Sequence, residues 1–217
     1  MTTLTPRAVP VAGSGPSGRS TVATIIGVLI TIPDPVCHEL SRWRDRFVTP
    51  PVRGVPAHIT LLPPTLVRKD HLEAIERHLR RAVAATRRFE VHLRGSGTFL
   101  PVSPVTFVQV AAGIGPCELL ESRIRTGPLA RPLEFPYHPH VTVAHNVAPR
   151  VLDEVDAGLA GFDARFPVTR VDLYQSAPQH GDAPDAWAVR AAFPLTADSG
   201  PSTGDGPTSG AAAPHRD

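Results

Sequence analysis

The chain has 217 residues, 41% hydrophobic and 19% charged, which suits one large domain or two small lobes and excludes a fibrous or wholly disordered protein. A formal net charge of +2 excludes a polybasic coat for nucleic acid, yet the positive side chains are all arginine except Lys69, which leaves room for a local phosphate site. Cys37 and Cys117 lie far apart with no CxxC spacing and are expected to be free thiols, with the cytoplasm as the default location.

Residues 1–20 are rich in Gly, Pro, Ser and Thr without an apolar period, and residues 197–217 repeat that composition. Both are expected to be disordered tails flanking a folded unit at residues 21–196. The apolar run from Thr21 to Ile32 is too short to span a bilayer and is followed by Pro33-Asp34-Pro35 rather than a small-residue cleavage site. Its β-branched residues predict a buried strand, and no membrane association. Asp34-Pro35 then predicts the N-cap and first position of a helix whose Val36, Leu40, Trp43 and Phe47 form one stripe, stopped by Pro50-Pro51. A short strand begins at His58 and is expected to close at Pro63-Pro64. Asp70 and Glu73 read as a capping box before a helix with Leu72, Ile75, Leu79 and Val83 on one face. Phe89, Val91 and Leu93 alternate as a half-buried strand ending at Gly95-Ser96-Gly97.

The pattern then restarts. A strand is expected from Val105 to Ala112, a short helix through Pro116, Leu120 and Ile124, and a strand at His140. Pro149 opens a helix with Val151, Val155 and Leu159. Two strands follow, Val168 to Ser176 and Trp187 to Phe193, the last with Trp187, Val189, Ala191 and Phe193 inward. One offset of 82 residues carries His58 onto His140, Thr24 onto Thr106 and Phe89 onto Val171. Such self-similarity predicts an α+β fold of two like lobes related by a pseudo-twofold axis.

His58-Ile59-Thr60 and His140-Val141-Thr142 hold equivalent places in the two copies. In a strand, residues two apart share a face, so each motif presents an imidazole beside a hydroxyl. Brought together in a cleft between the lobes, two imidazoles of ordinary pKa ~6.5 provide a general base and a general acid near neutral pH. One ring takes a proton from an attacking water and the other protonates a departing sugar oxygen. The hydroxyls of Thr60 and Thr142 donate to non-bridging phosphate oxygens. That chemistry needs neither metal nor other cofactor.

The stretches Gly54-Val55-Pro56-Ala57-His58-Ile59-Thr60-Leu61-Leu62-Pro63 and Tyr137-His138-Pro139-His140-Val141-Thr142-Val143-Ala144 resemble the 2H phosphoesterases, a family that includes 2′-5′ RNA ligase-like proteins and RNA 2′,3′-cyclic phosphodiesterases. Val171-Asp172-Leu173-Tyr174-Gln175-Ser176 and Trp187-Ala188-Val189 extend the likeness. It implies a bilobal fold, antiparallel-rich sheets with helices outside, and metal-independent hydrolysis of a 2′,3′-cyclic phosphate or 2′-5′ linkage on an RNA end or small nucleotide. His58 and His140 would be the catalytic pair, with His140 the base and His58 the acid, and Thr60 and Thr142 the phosphate ligands. Several RNA-acting members carry a basic residue soon after the second motif, where this chain has Ala144-His145-Asn146.

Other readings follow from single residues. A non-catalytic module could hold a nucleotide or RNA end in the same cleft, and the family's name adds RNA 2′-5′ ligation. His138 shares a face with His140 but finds no third ligand at a metal-site spacing, and His145 is expected to face the opposite way. His138, Tyr137 and Arg53 are candidate rim or base contacts. Arg94 and Arg131 are further phosphate candidates, although each reads more simply as surface charge, and Phe99 and Tyr174 could stack a base. His38, His71, His78 and His92 are given no role, and the protein is expected to act as a monomer.

Overall fold

The structure, a computed structural model, describes residues 22–47, 55–176 and 187–197. The expected tails, apart from Ala197, lie outside the described residues, as do Pro50-Pro51 and Arg53. In chain order the elements are β1 (Ala23–Thr31), α1 (Val36–Asp45), β2 (His58–Arg68), α2 (Leu72–Ala84), β3 (Phe89–Thr98), β4 (Val105–Ala112), α3 (Ile114–Ile124), β5 (His140–His145), α4 (Pro149–Leu159), β6 (Asp163–Val168), β7 (Arg170–Ser176) and β8 (Trp187–Pro194). Short 3-10 turns occupy Lys69–His71 and Gly127–Leu129.

The strands form two four-stranded antiparallel sheets, ordered β2-β1-β7-β8 and β5-β4-β3-β6. The orders correspond position by position: each sheet has a motif strand at one edge, β2 or β5, paired to a central strand, β1 or β4. β1 reads as a nearly continuous apolar run because it lies inside its sheet, with Ile26, Val28, Leu29 and Ile30 all buried. α2 and α3 pack on each other and cover the first sheet through β8 and β2, while α1 and α4 pack against strands of the second. In α4, Gly158 lets the Trp43 ring of α1 lie against its backbone, where even a methyl group would collide with the indole. The apolar residues of both sheets and all four helices join in one core.

The third strand of each copy departs from a simple pair of contiguous halves. β3 follows the first motif in sequence but joins the second sheet, whereas β7 returns to the first sheet beside β1. The first half of the chain therefore lends β3 to the second sheet, and the second half lends β7 and β8 to the first.

Several local expectations give way to tertiary structure. Pro63-Pro64 do not close β2, which continues to Arg68. β2 is an edge strand, so prolines cost it no required pairing bond, and they sit in a register shift opposite Gly27. Gly95-Ser96-Gly97 likewise do not end β3, because a second shift lies between Leu93 and Ser96 and the strand runs to Thr98. Asp34 does not cap α1: Pro35 occupies the N-cap and no side chain bonds there. The Asp70–Glu73 capping box does not form either, since the Asp70 carboxylate pairs with Arg68 and α2 starts at Leu72. β6 was not expected; its Asp163-Ala-Arg-Phe-Pro-Val sequence alternates weakly and forms the edge against β3. In β8 Arg190 is an extra residue opposite the step from Leu173 to Tyr174 of β7, which breaks the inward alternation and leaves Val189 53% exposed.

Candidate functional site

Both histidines of the repeated motif are the first residues of their strands, and both are held the same way. His58 Nδ1 lies 2.8 Å from Pro56 O, and His140 Nδ1 lies 2.7 Å from His138 O. A carbonyl oxygen can only accept, so each ring carries its proton on Nδ1 and keeps Nε2 as a free base. The threonines follow two residues later on the same face. Each strand then bulges at the next residue: Leu61 is the extra residue of β2 against β1, and Val143 that of β5 against β4. Bulges of this kind re-aim the side chains that follow.

A cavity of about 250 Å³ opens beside the motifs. His58, Thr60, Leu62, Gly27, Leu29, Tyr174 and Trp187 line it from the first sheet, and Thr142, Val143 and His145 from the second. His140 is not part of this lining; it lies two residues before Thr142 on β5, edge-on to Phe99 with ring centroids 4.9 Å apart and 5.1 Å from Phe107. Gly97 makes this nest possible, because a β-carbon there would press to 3.0 Å from the Phe107 ring. His138 is exposed, and its ring stacks at 6.2 Å from that of His140.

Burial lowers the proton affinity of both motif histidines. For His58 the loss of solvent is the largest cause, its bond to Pro56 opposes the shift, and the charges of Arg44 and His140 add to it. For His140 burial again leads, with His138 as the cationic neighbour. The charge of His140 thus reaches His58.

The structure places other expected contacts variously. Tyr137 packs against the core and donates its hydroxyl to Thr60 O at 3.0 Å, tying the approach to the second motif to the first motif's backbone. Burial pushes its phenol pKa well up. Tyr174 lines the cavity, whereas Phe99 supports His140. Arg94 is exposed beside Asp163, and Arg131 donates to Thr65 Oγ1 at 3.0 Å; neither lines the cavity. Cys37 and Cys117 are free, and burial pushes the Cys117 thiol up to about 12. Among the described residues no group of three His, Cys, Asp or Glu side chains is placed to hold a metal, and no helix is long and apolar enough to cross a membrane.

Three residues at or near the site escaped the sequence reading. His145 lines the cavity because the Val143 bulge reverses the phase that would have turned it away. Arg44 reaches the cavity from α1; it lies four residues after buried Leu40 and hence on that face, the one signal that could have marked it. Asp172, only 1% exposed, accepts from Thr31 Oγ1 at 2.8 Å and Arg170 Nε at 3.0 Å. Thr31 is the residue opposite His58 in the β1–β2 pairing, so this buried carboxylate secures the strand behind the first motif.

Several solved structures share the fold. E. coli LigT in complex with 3′-AMP superposes with a TM-score of 0.59 at 22% identity, over 81% of this chain and 99% of that one. LigT in its apo form gives 0.61 at 21% identity, over 80% and 98% of the two chains. Among curated sequences, a Bacillus cytotoxicus protein carrying the name "Putative phosphoesterase" is 28% identical over 123 residues, 57% of this chain and 70% of its own length. A Halalkalibacterium halodurans protein of the same designation is 25% identical over 122 residues, 56% and 70% of the two chains. The family profile matches residues 32–179, a span that includes both His-x-Thr motifs and six of the eight strands, β2 to β7. The chain belongs to the 2′-5′ RNA ligase superfamily.

Proposed function

We propose that this protein is a metal-independent phosphodiesterase that hydrolyses a 2′,3′-cyclic phosphate on an RNA end or small nucleotide, with His58 and His140 as its acid–base pair. The observation that carries this reading is the duplicated clamp: each ring is fixed through Nδ1 with Nε2 free, and each is followed on its face by a threonine hydroxyl. Water attacks phosphorus while one Nε2 removes its proton. The P–O bond to one ribose oxygen breaks, and the other ring, protonated at Nε2, gives its proton to that oxygen. Thr60 and Thr142 donate to the non-bridging oxygens as charge builds on them. The products are one phosphomonoester and one free hydroxyl, and the two rings end with their protonation states exchanged.

The family likeness assigns His140 as base and His58 as acid. An arriving phosphate anion supports that assignment, because it offsets the Arg44 charge that otherwise opposes protonation of His58. The superfamily's name and the nucleotide bound in the LigT structure point the same way, towards nucleotide phosphoesters.

The test is to incubate the protein with nucleoside 2′,3′-cyclic phosphates and 2′-5′ dinucleotides in excess chelator and resolve the products chromatographically. Conversion of the cyclic substrate to a single monophosphate isomer is the expected result. Tight binding with no product would make the cleft a nucleotide-binding module, and joining of these substrates into longer 2′-5′-linked products without hydrolysis would make it a ligase.

A further inference from the structure

Among the described residues Arg44 is the one arginine that lines the cavity, and its hydrogen bonds are incomplete. Nη1 donates to Val55 O at 3.0 Å. Nε is buried and has no hydrogen-bond partner among the described residues. The nearest carboxylate oxygen, Asp45 Oδ1, is 3.7 Å from Nε, beyond hydrogen-bond range, and belongs to a half-exposed side chain. The Arg44 side chain is itself only 17% exposed. A buried guanidinium with an unused donor is costly unless a partner arrives. Arg44 shares the lining of the cavity with His58, Thr60 and Thr142, the groups that the proposed reaction uses, so a phosphoryl group bound among them is the acceptor at hand.

Resting on the reading above, we propose that Arg44 is a third phosphate ligand of this site, donating from its guanidinium edge to a non-bridging oxygen that the hydroxyls of Thr60 and Thr142 also hold in place. A planar fork with several donors matches a phosphoryl group better than a point charge does. The bond from Nη1 to Val55 fixes the guanidinium immediately before Pro56, whose carbonyl orients His58. One side chain thereby sets the distance between the anion and the ring that works on it. As negative charge accumulates on the non-bridging oxygens, Arg44 stabilises it beside largely apolar walls.

Calorimetric titration of the full chain with inorganic phosphate, alongside turnover of a nucleoside 2′,3′-cyclic phosphate, tests the proposal. R44M is expected to lower kcat/KM by about 10²–10³-fold, the loss typical of one transition-state donor. It should weaken phosphate binding at least tenfold and flatten its dependence on salt, since one cation leaves the site. A residue that merely braced Val55 would change unfolding temperature and leave phosphate affinity of the folded variant, and its salt dependence, as in wild type; that result overturns the proposal. Should R44M fail to fold, R44K decides. It retains the charge but not the fork, and must bind phosphate several-fold more weakly at an unchanged unfolding midpoint; unchanged affinity overturns the proposal. If the wild-type protein binds phosphate but turns over no cyclic phosphate, the proposed activity fails, while the Arg44 assignment still stands or falls on binding alone.

Discussion

The two His-x-Thr strands share a design and differ in setting. In both, Nδ1 bonds to the carbonyl two residues upstream, the threonine comes two residues on, and a bulge follows at the next residue. His58 is set in an apolar wall beside Arg44. His140 rests among Phe99, Phe107 and His138. The duplication thus supplies two chemically equal rings, and what differs is the neighbouring cation: a permanent guanidinium for one, a titratable imidazole for the other. Both rings are lowered by burial first, and the cations beside them are of different kinds.

The hardest blow to this symmetry is to remove either ring. H58A and H140A should each lower kcat on a cyclic phosphate by about 10²–10⁴-fold, and the double variant should lose little more than the worse single one, because the rings act as a unit. Additive losses in initial-rate measurements would mean that the rings do not cooperate. T60V and T142V are smaller perturbations; each should lower kcat by about 10²-fold with the fold intact, as one donor to the phosphate disappears. A loss confined to one of them would show that only one half grips phosphorus.

The comparison sharpens with pH. Both rings have folded proton affinities below the ordinary histidine value of 6.5, so the bell of kcat/KM for free enzyme should centre on the acid side of that value. H138Q removes the cation next to His140 and should raise the affinity of that ring alone, moving one limb of the bell upward. Movement of the acidic limb identifies His140 as base; movement of the alkaline limb makes it the acid and reverses the assignment proposed above. The same shifts bear on stability. Below pH 6.5 the unfolded chain binds protons that the folded rings resist, so the unfolding temperature should fall as pH drops through that region towards the folded values, and the fall should be shallower in H58A. The mildest change is Y137F, which deletes the hydrogen bond from one motif's approach to the other's backbone. It should reduce stability by about 0.5–1.5 kcal/mol in denaturant titration.

Much of the plan was legible because it rests on local chemistry. Leu72, Ile75, Leu79 and Val83 repeat at helical spacing and are buried together in α2. The single offset that relates the motifs also relates β1 to β4 and β3 to β7, which occupy matching places in the two sheets. What stayed hidden depends on where strands slip. A bulge leaves no reliable mark in the sequence but inverts every later side chain, and this is why His145 lines the cavity. His92 is a parallel case: expected on the polar phase of its strand, it is 7% exposed next to another shift and bonded to Asp163 at 3.1 Å. Pro63-Pro64 misled for a related reason, since proline ends a central strand but not an edge one. Arg44 was hidden by its company, one of many arginines, most of them solvated.

Because β3 and β7 change sides, neither half of the polypeptide contains a complete sheet. A chain severed between β3 and β4 would leave the first fragment without β7 and β8 and carrying a strand with no place in its own sheet, and the second fragment without the inner strand β3. The lobes are clasped, and they should melt as one cooperative unit rather than as beads on a string. Such interlocking also limits how far the walls of the cavity can drift apart.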